Sequence, residues 1–211
     1  MKSRLAKAVL SSVVLFGAII YLSGCATIGM DRAKKTTDTM QALENDYQQA
    51  SLQIDATNAA LRNLVLPTQI DTRKAYNVYT TEVKKMEALG TRLNRHADEM
   101  QSQRDAYFEK WETSYDSAEI QELSEQRRVE MRAAYEKIPE ASIGVKGALQ
   151  SYLNDIREIQ RYLSNDLTPQ GIDSIRPTAD RAVKDGDRLQ ESIKSVLVAI
   201  GQVRSGMVQG N

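Results

Sequence analysis

A chain of 211 residues with 28 Lys+Arg, 28 Asp+Glu, one His and one Cys has room for a targeting segment and one domain. A single Cys excludes an intrachain disulfide framework and a thiolate zinc cluster, and a single His leaves no His-based metal site. The first 24 residues hold Lys2, Arg4 and Lys7 and no acid, so the remainder carries 25 bases against 28 acids, a balance that argues against nucleic-acid binding.

Residues 1–7 are basic, and Ala8 to Leu22 form an almost unbroken apolar run. That is the plan of a secretory signal. The run is about fifteen residues, short of the roughly 20 that span a bilayer as a helix. It stops at Leu22, Ser23, Gly24 and Cys25, a stretch that resembles the lipobox of bacterial lipoproteins. The resemblance implies that residues 1–24 are a cleaved signal peptide. It also implies that the Cys25 thiol carries diacylglycerol and that the new amine is acylated, with palmitate as a typical chain. Small Ser23 and Gly24 suit a peptidase groove, and only a thiol supplies the nucleophile. Two or three buried chains make a long-lived anchor where one is marginal. Residue 26 is Ala rather than Asp, which implies sorting to the outer membrane, facing the periplasm, with the inner membrane as the alternative.

Helical spacing begins without a linker. Ala33, Met40, Tyr47, Ile54 and Leu61 recur every seven residues, with Leu43, Ala50 and Leu64 three further on. This predicts a helix over about 30–65, ended by Pro67. Thr68 reads as the next cap, with Asp71 three residues later. A second stripe runs through Tyr79, Val83, Met86, Gly90, Leu93, Ala97, Met100, Tyr107 and Trp111. It loses register over 114–118 and resumes at Ile120, Leu123, Met131, Ala134 and Ile138, before Pro139 closes it. The helix either continues to about 137 or breaks near Asp116-Ser117.

A third helix is expected over about 141–166, with Val145, Leu149, Tyr152, Ile156, Ile159 and Leu163 inward. Thr168-Pro169 is a cap and first-turn pair. The last stripe runs from Ile172 through Ile175, Ala179, Ala182, Gly186, Leu189, Ile193, Val196, Ile200 and Val203 to Met207. Pro177 inside it predicts a kink or a later start. No stretch alternates with period two. The expected fold is all-α: an elongated antiparallel three-helix bundle or coiled-coil hairpin, with two arms of roughly 100 Å each if unbroken. A bend at 114–118 gives a shorter four- or five-helix bundle instead. Outside the signal there are eight Tyr against one Phe and one Trp, which suits a thin core whose hydroxyls reach water.

Candidate chemistry is sparse. His96 is the one side chain of the type that serves as a switch near neutral pH, but between Arg95 and Asp98 on a helix it reads as solvated. Asp98-Glu99 and Glu109 with Glu112 place carboxylates close together, as acid–base pairs require, yet such acids recur along every charged face. Arg127, Arg128 and Arg132 form a basic cluster suited to an anionic headgroup or glycan, but Glu125 and Glu130 interleave as salt-bridge partners. Gly90 and Gly186 cost helix propensity at stripe positions. Close helix approach or room for an opposing Tyr explains them, with a hinge as the alternative. Walker loops, dinucleotide-binding glycine turns, HExxH and GxSxG are absent from the sequence.

The segment Tyr107-Phe108-Glu109-Lys110-Trp111-Glu112 with Tyr115, and Tyr162-Leu163-Ser164-Asn165-Asp166-Leu167, resemble an uncharacterised proteobacterial lipoprotein family. Its members carry an all-helical, coiled-coil-like domain of unknown function. The late turn here departs from the family's Leu-x-x-Asn-Leu pattern by the Asp166 before Leu167. The resemblance covers 25–211 as one periplasmic domain and implies fold and location, but no catalytic residue.

The resulting expectation is a non-enzymatic, lipid-anchored helical scaffold or adaptor with an unidentified protein partner and no cofactor, metal or nucleic acid. Exposed stripes leave a homo-oligomer open. A helical carrier for an apolar ligand such as lipid is the alternative, and it needs an internal cavity.

Overall fold

The computed structural model describes residues 24–208, with side chains over 29–207. The described residues are all-helical. Five helices follow in order: α1 (Gly24–Leu64), α2 (Thr72–Glu109), α3 (Ala118–Ser142), α4 (Val145–Asn165) and α5 (Pro169–Val208). α1 packs on α2 and α5, α4 packs on α2 and α5, and α3 lies chiefly on α5. α3 and α4 therefore run end to end as one interrupted arm, and the chain forms four arms in up-down-up-down order. The 41 residues of α1 set a length of roughly 60 Å at about 1.5 Å per residue.

This corrects the expectation of three strands with arms of roughly 100 Å. The second stripe breaks where its register fails. Glu112 Oε1 accepts from the backbone N–H groups of Thr113 and Ser114 at 3.0 and 3.1 Å, closing a turn, and Ser117 Oγ accepts from Ile120 N to restart the helix. Other boundaries differ locally. Asp71, not Thr68, caps α2, its carboxylate accepting from Lys74 N at 2.9 Å. Pro139 lies within α3 rather than closing it, and the break falls at Gly144, whose φ of +87° suits glycine. Thr168 and Pro169 open α5 as expected, Thr168 Oγ1 accepting from Gly171 N, and Pro177 sits inside that helix.

The stripes become the core. Met40, Leu43, Ile54, Leu61, Tyr79, Val83, Met86, Leu149, Ile156, Ile159, Leu163, Leu189, Val196 and Ile200 are all buried in one continuous cluster. The four-armed section is thick enough to swallow tyrosines whole. Tyr79, Tyr135 and Tyr152 are fully buried, so their hydroxyls do not reach water as a thinner bundle would allow. All three bond to groups inside the fold: Tyr79 OH donates to Ile156 O at 2.7 Å, Tyr152 OH to Asn58 Oδ1 at 2.8 Å, and Tyr135 OH to Met207 Sδ at 3.3 Å. Burial pushes all three phenols well above their usual range.

Candidate functional site

Three stations of polar and aromatic chemistry are spaced along the bundle. The far one is centred on Asn58, which is buried at the α1–α5 seam. Its Nδ2 donates to Val183 O and Asp187 Oδ1, both at 3.1 Å, while its Oδ1 accepts from Tyr152. A Cβ on Gly186 would lie 2.8 Å from Asn58 and 2.9 Å from the Tyr152 ring. Gly186 thus provides the close approach and the room for a tyrosine that its stripe position suggested. Gly90 does likewise for a leucine, with Leu153 Cδ1 at 2.9 Å. The Asn58 amide finds its donors and acceptors inside the fold, so the knot fixes the register of three helices.

The middle station corrects the reading of His96 as a solvated surface residue. His96 Nδ1 meets one carboxylate oxygen of Asp46, and Arg92 Nε donates to the other at 2.8 Å. The Asp46 side chain is 5% exposed. A buried carboxylate is costly unless paired, so Asp46 ties α2 to α1. The sequence hid this pair because its partners sit fifty residues apart and Asp46 lies beside the stripe residue Tyr47. Asp98 and Glu99 part company: Glu99 pairs with Arg95 at 2.8 Å, while Asp98 lines a cleft.

That cleft opens where α3 gives way to α4 and has a volume of about 410 Å³. Leu43, Tyr47, Leu93 and Val145 line its floor, and Asp98, Arg104 and Lys146 stand among its polar lining. Ser142, Ile143 and Gly144, at the helix break, form part of its wall. The arrangement suits binding of a small amphiphile.

The third station is at the end that holds the start of α1. Tyr107, Phe108, Trp111 and Tyr135 form an aromatic cluster, with Tyr107–Trp111 centroids 5.6 Å apart and Phe108–Tyr135 5.5 Å apart, both edge-on. Arg132 lies over the Phe108 ring at 4.9 Å. Arg128 pairs with Glu125 at 2.7 Å and Arg127 reaches Glu130 at 3.7 Å, so these two bases are salt-bridged as their interleaving suggested. The expected inward residues Ile120 and Leu123 are instead 51% and 60% exposed. α3 makes only slight contact with α2, and its first buried residue is Met131.

Of the stretch that resembles a lipobox, Leu22 and Ser23 lie outside the described residues. Gly24 and Cys25 belong to the first turn of α1, and their side chains lie outside the described set. Among the described residues no group of three His, Cys, Asp or Glu is placed to hold a metal ion, and no helix is long and apolar enough to cross a membrane. No curated protein and no solved structure matches the chain. Residues 21–203 match a family described as Protein of unknown function (DUF2959). A match over nearly the whole all-helical region places the chain in that family: it is a DUF2959 protein.

Proposed function

We propose that this protein is a bacterial envelope lipoprotein, held by acyl chains on Cys25 at the periplasmic face of the outer membrane, where it serves as a non-enzymatic scaffold or adaptor. The observation that supports this most is continuity. α1 begins at Gly24, so the four-armed bundle follows the lipobox with no intervening linker. A tether that short keeps the start of α1 at the bilayer. The opposite end stands roughly 60 Å away by helix rise. There the α1–α2 turn exposes Leu66 and, at 99%, Ile70, a contact point for a partner protein. A photo-crosslinker at Ile70 in living cells tests the adaptor role. It is expected to capture a discrete envelope protein, and the absence of any adduct would overturn it.

The cleft at the α3–α4 break favours a second reading, a carrier for a small amphiphile. Its volume of about 410 Å³ falls within the roughly 300–1,000 Å³ typical of ligand sites. Native mass spectrometry of protein extracted from membranes separates the two readings. A stoichiometric bound mass supports the carrier, and an empty bundle counts against it.

A further inference from the structure

We infer that the anchor-side end of the bundle is a membrane-seating surface, in which Trp111, Tyr115, Ile120 and Leu123 enter the interface of a zwitterionic phospholipid bilayer. This rests on the proposed tether at Cys25. The four side chains line one open cup of about 460 Å³ with Arg32 and Arg127, and its wall includes Gly29 of α1. Gly29 lies four residues beyond Cys25 and Arg32 seven, so helix rise puts the cup within roughly 10 Å of the anchor. A bilayer holding the chain at Cys25 therefore meets this face before any other.

The chemistry of the face fits that occupant. Ile120 and Leu123 are spaced i and i+3 on α3, so they share one side of the helix. Trp111 supplies an apolar ring whose Nε1 already donates to Ser124 Oγ at 2.9 Å, so the indole can enter an apolar layer without stranding its N–H. Tyr115 stands beside it, with Ser124 Oγ donating to its hydroxyl at 3.4 Å. Aromatic side chains with one polar edge concentrate at headgroup depth. Arg32 and Arg127 share the cup with Glu112, and Arg127 also reaches Glu130 at 3.7 Å, so both signs of charge meet the surface. Such a field matches phosphate beside ammonium and opposes a uniformly anionic sheet. Membrane seating also gives the exposed apolar start of α3 a partner that the bundle does not supply.

Trp111 is the chain's only tryptophan and reports on its own face. The full-length protein, purified from membranes with its N-terminal modification, is reconstituted in phosphatidylcholine vesicles. A matching set uses phosphatidylcholine brominated along its acyl chains, and flotation is measured in parallel. Seating of aromatic residues about 5–10 Å into the boundary is expected to lower Trp111 emission about twofold with brominated lipid. The Ile120→Glu/Leu123→Glu variant, both positions exposed and its helicity checked by circular dichroism, is expected to float but lose the quenching. Flotation of the wild type without quenching overturns the inference while leaving the tether intact. A concentration-dependent blue shift without quenching overturns it too, and assigns the face to a second copy of the chain. Failure to float overturns the tether itself.

Discussion

The two halves of the interrupted arm behave differently although they flank a single break. α4 buries Val145, Leu149, Tyr152, Leu153, Ile156, Ile159 and Leu163 within 21 residues, whereas α3 buries Met131, Tyr135 and Ile138 within 25. α4 sits between α2 and α5, and α3 rests chiefly on α5. One bundle thus holds a sealed half far from Cys25 and a looser half beside it. Local stability follows buried apolar contact, so the looser half is expected to open more readily.

The largest expected effect separates these halves. Ile156→Ala, at a fully buried site, is expected to cost about 2–5 kcal/mol in urea denaturation, and Ile120→Ala no more than about 0.5 kcal/mol. Equal losses would erase the distinction. Hydrogen exchange is expected to show residues 118–130 exchanging well before 149–163.

Within α5 two glycines sharpen the same contrast. Gly186→Val is expected to destabilise by about 1–3 kcal/mol, because its Cβ would meet Asn58 and Tyr152. At Gly201 an added Cβ would meet nothing within 4 Å, so Gly201→Ala is expected to gain about 0.5–1 kcal/mol. Thermal denaturation checks both signs. Asp46→Ala is expected to cost about 1–3 kcal/mol by urea denaturation, since it leaves Arg92 and His96 without their shared acceptor.

A smaller effect concerns alkali. Tyr79, Tyr135 and Tyr152 have folded-state pKa values raised by burial, so they hold their protons where the unfolded chain releases them. Their contribution is complete below the unfolded value of about 10 and is lost as pH rises above it. Phenolate absorbance is expected to show these three silent near pH 10.5 and released together on unfolding. Full titration of every tyrosine in the folded protein would contradict their burial.

Much of this was legible in the sequence, because a helix stripe records which face is covered. The α4 stripe from Val145 to Leu163 and the α5 stripe from Ala179 to Val203 are buried as their spacing predicts. Periodicity does not record what covers a face. Ile120 and Leu123 have the right spacing, yet α3 starts before the bundle closes around it, and they stay exposed. The number of arms was legible only as an alternative: the stripe loses register at 114–118 but does not record that the chain turns back there, where Glu112 accepts from two backbone donors. The polar ties were illegible for another reason. Asp46 with His96, and Asn58 with Asp187 and Tyr152, join positions 50 to 129 residues apart, beyond the reach of any local pattern.

The proposed tether beside the looser half is open to one direct measurement. Protein isolated from the envelope of the source cells is digested, and the mass of its first peptide is determined. The expected peptide begins at Cys25 and carries the added mass of diacylglycerol with an N-acyl chain. A first peptide that retains Met1, or an unmodified thiol at Cys25, would contradict the proposed anchor.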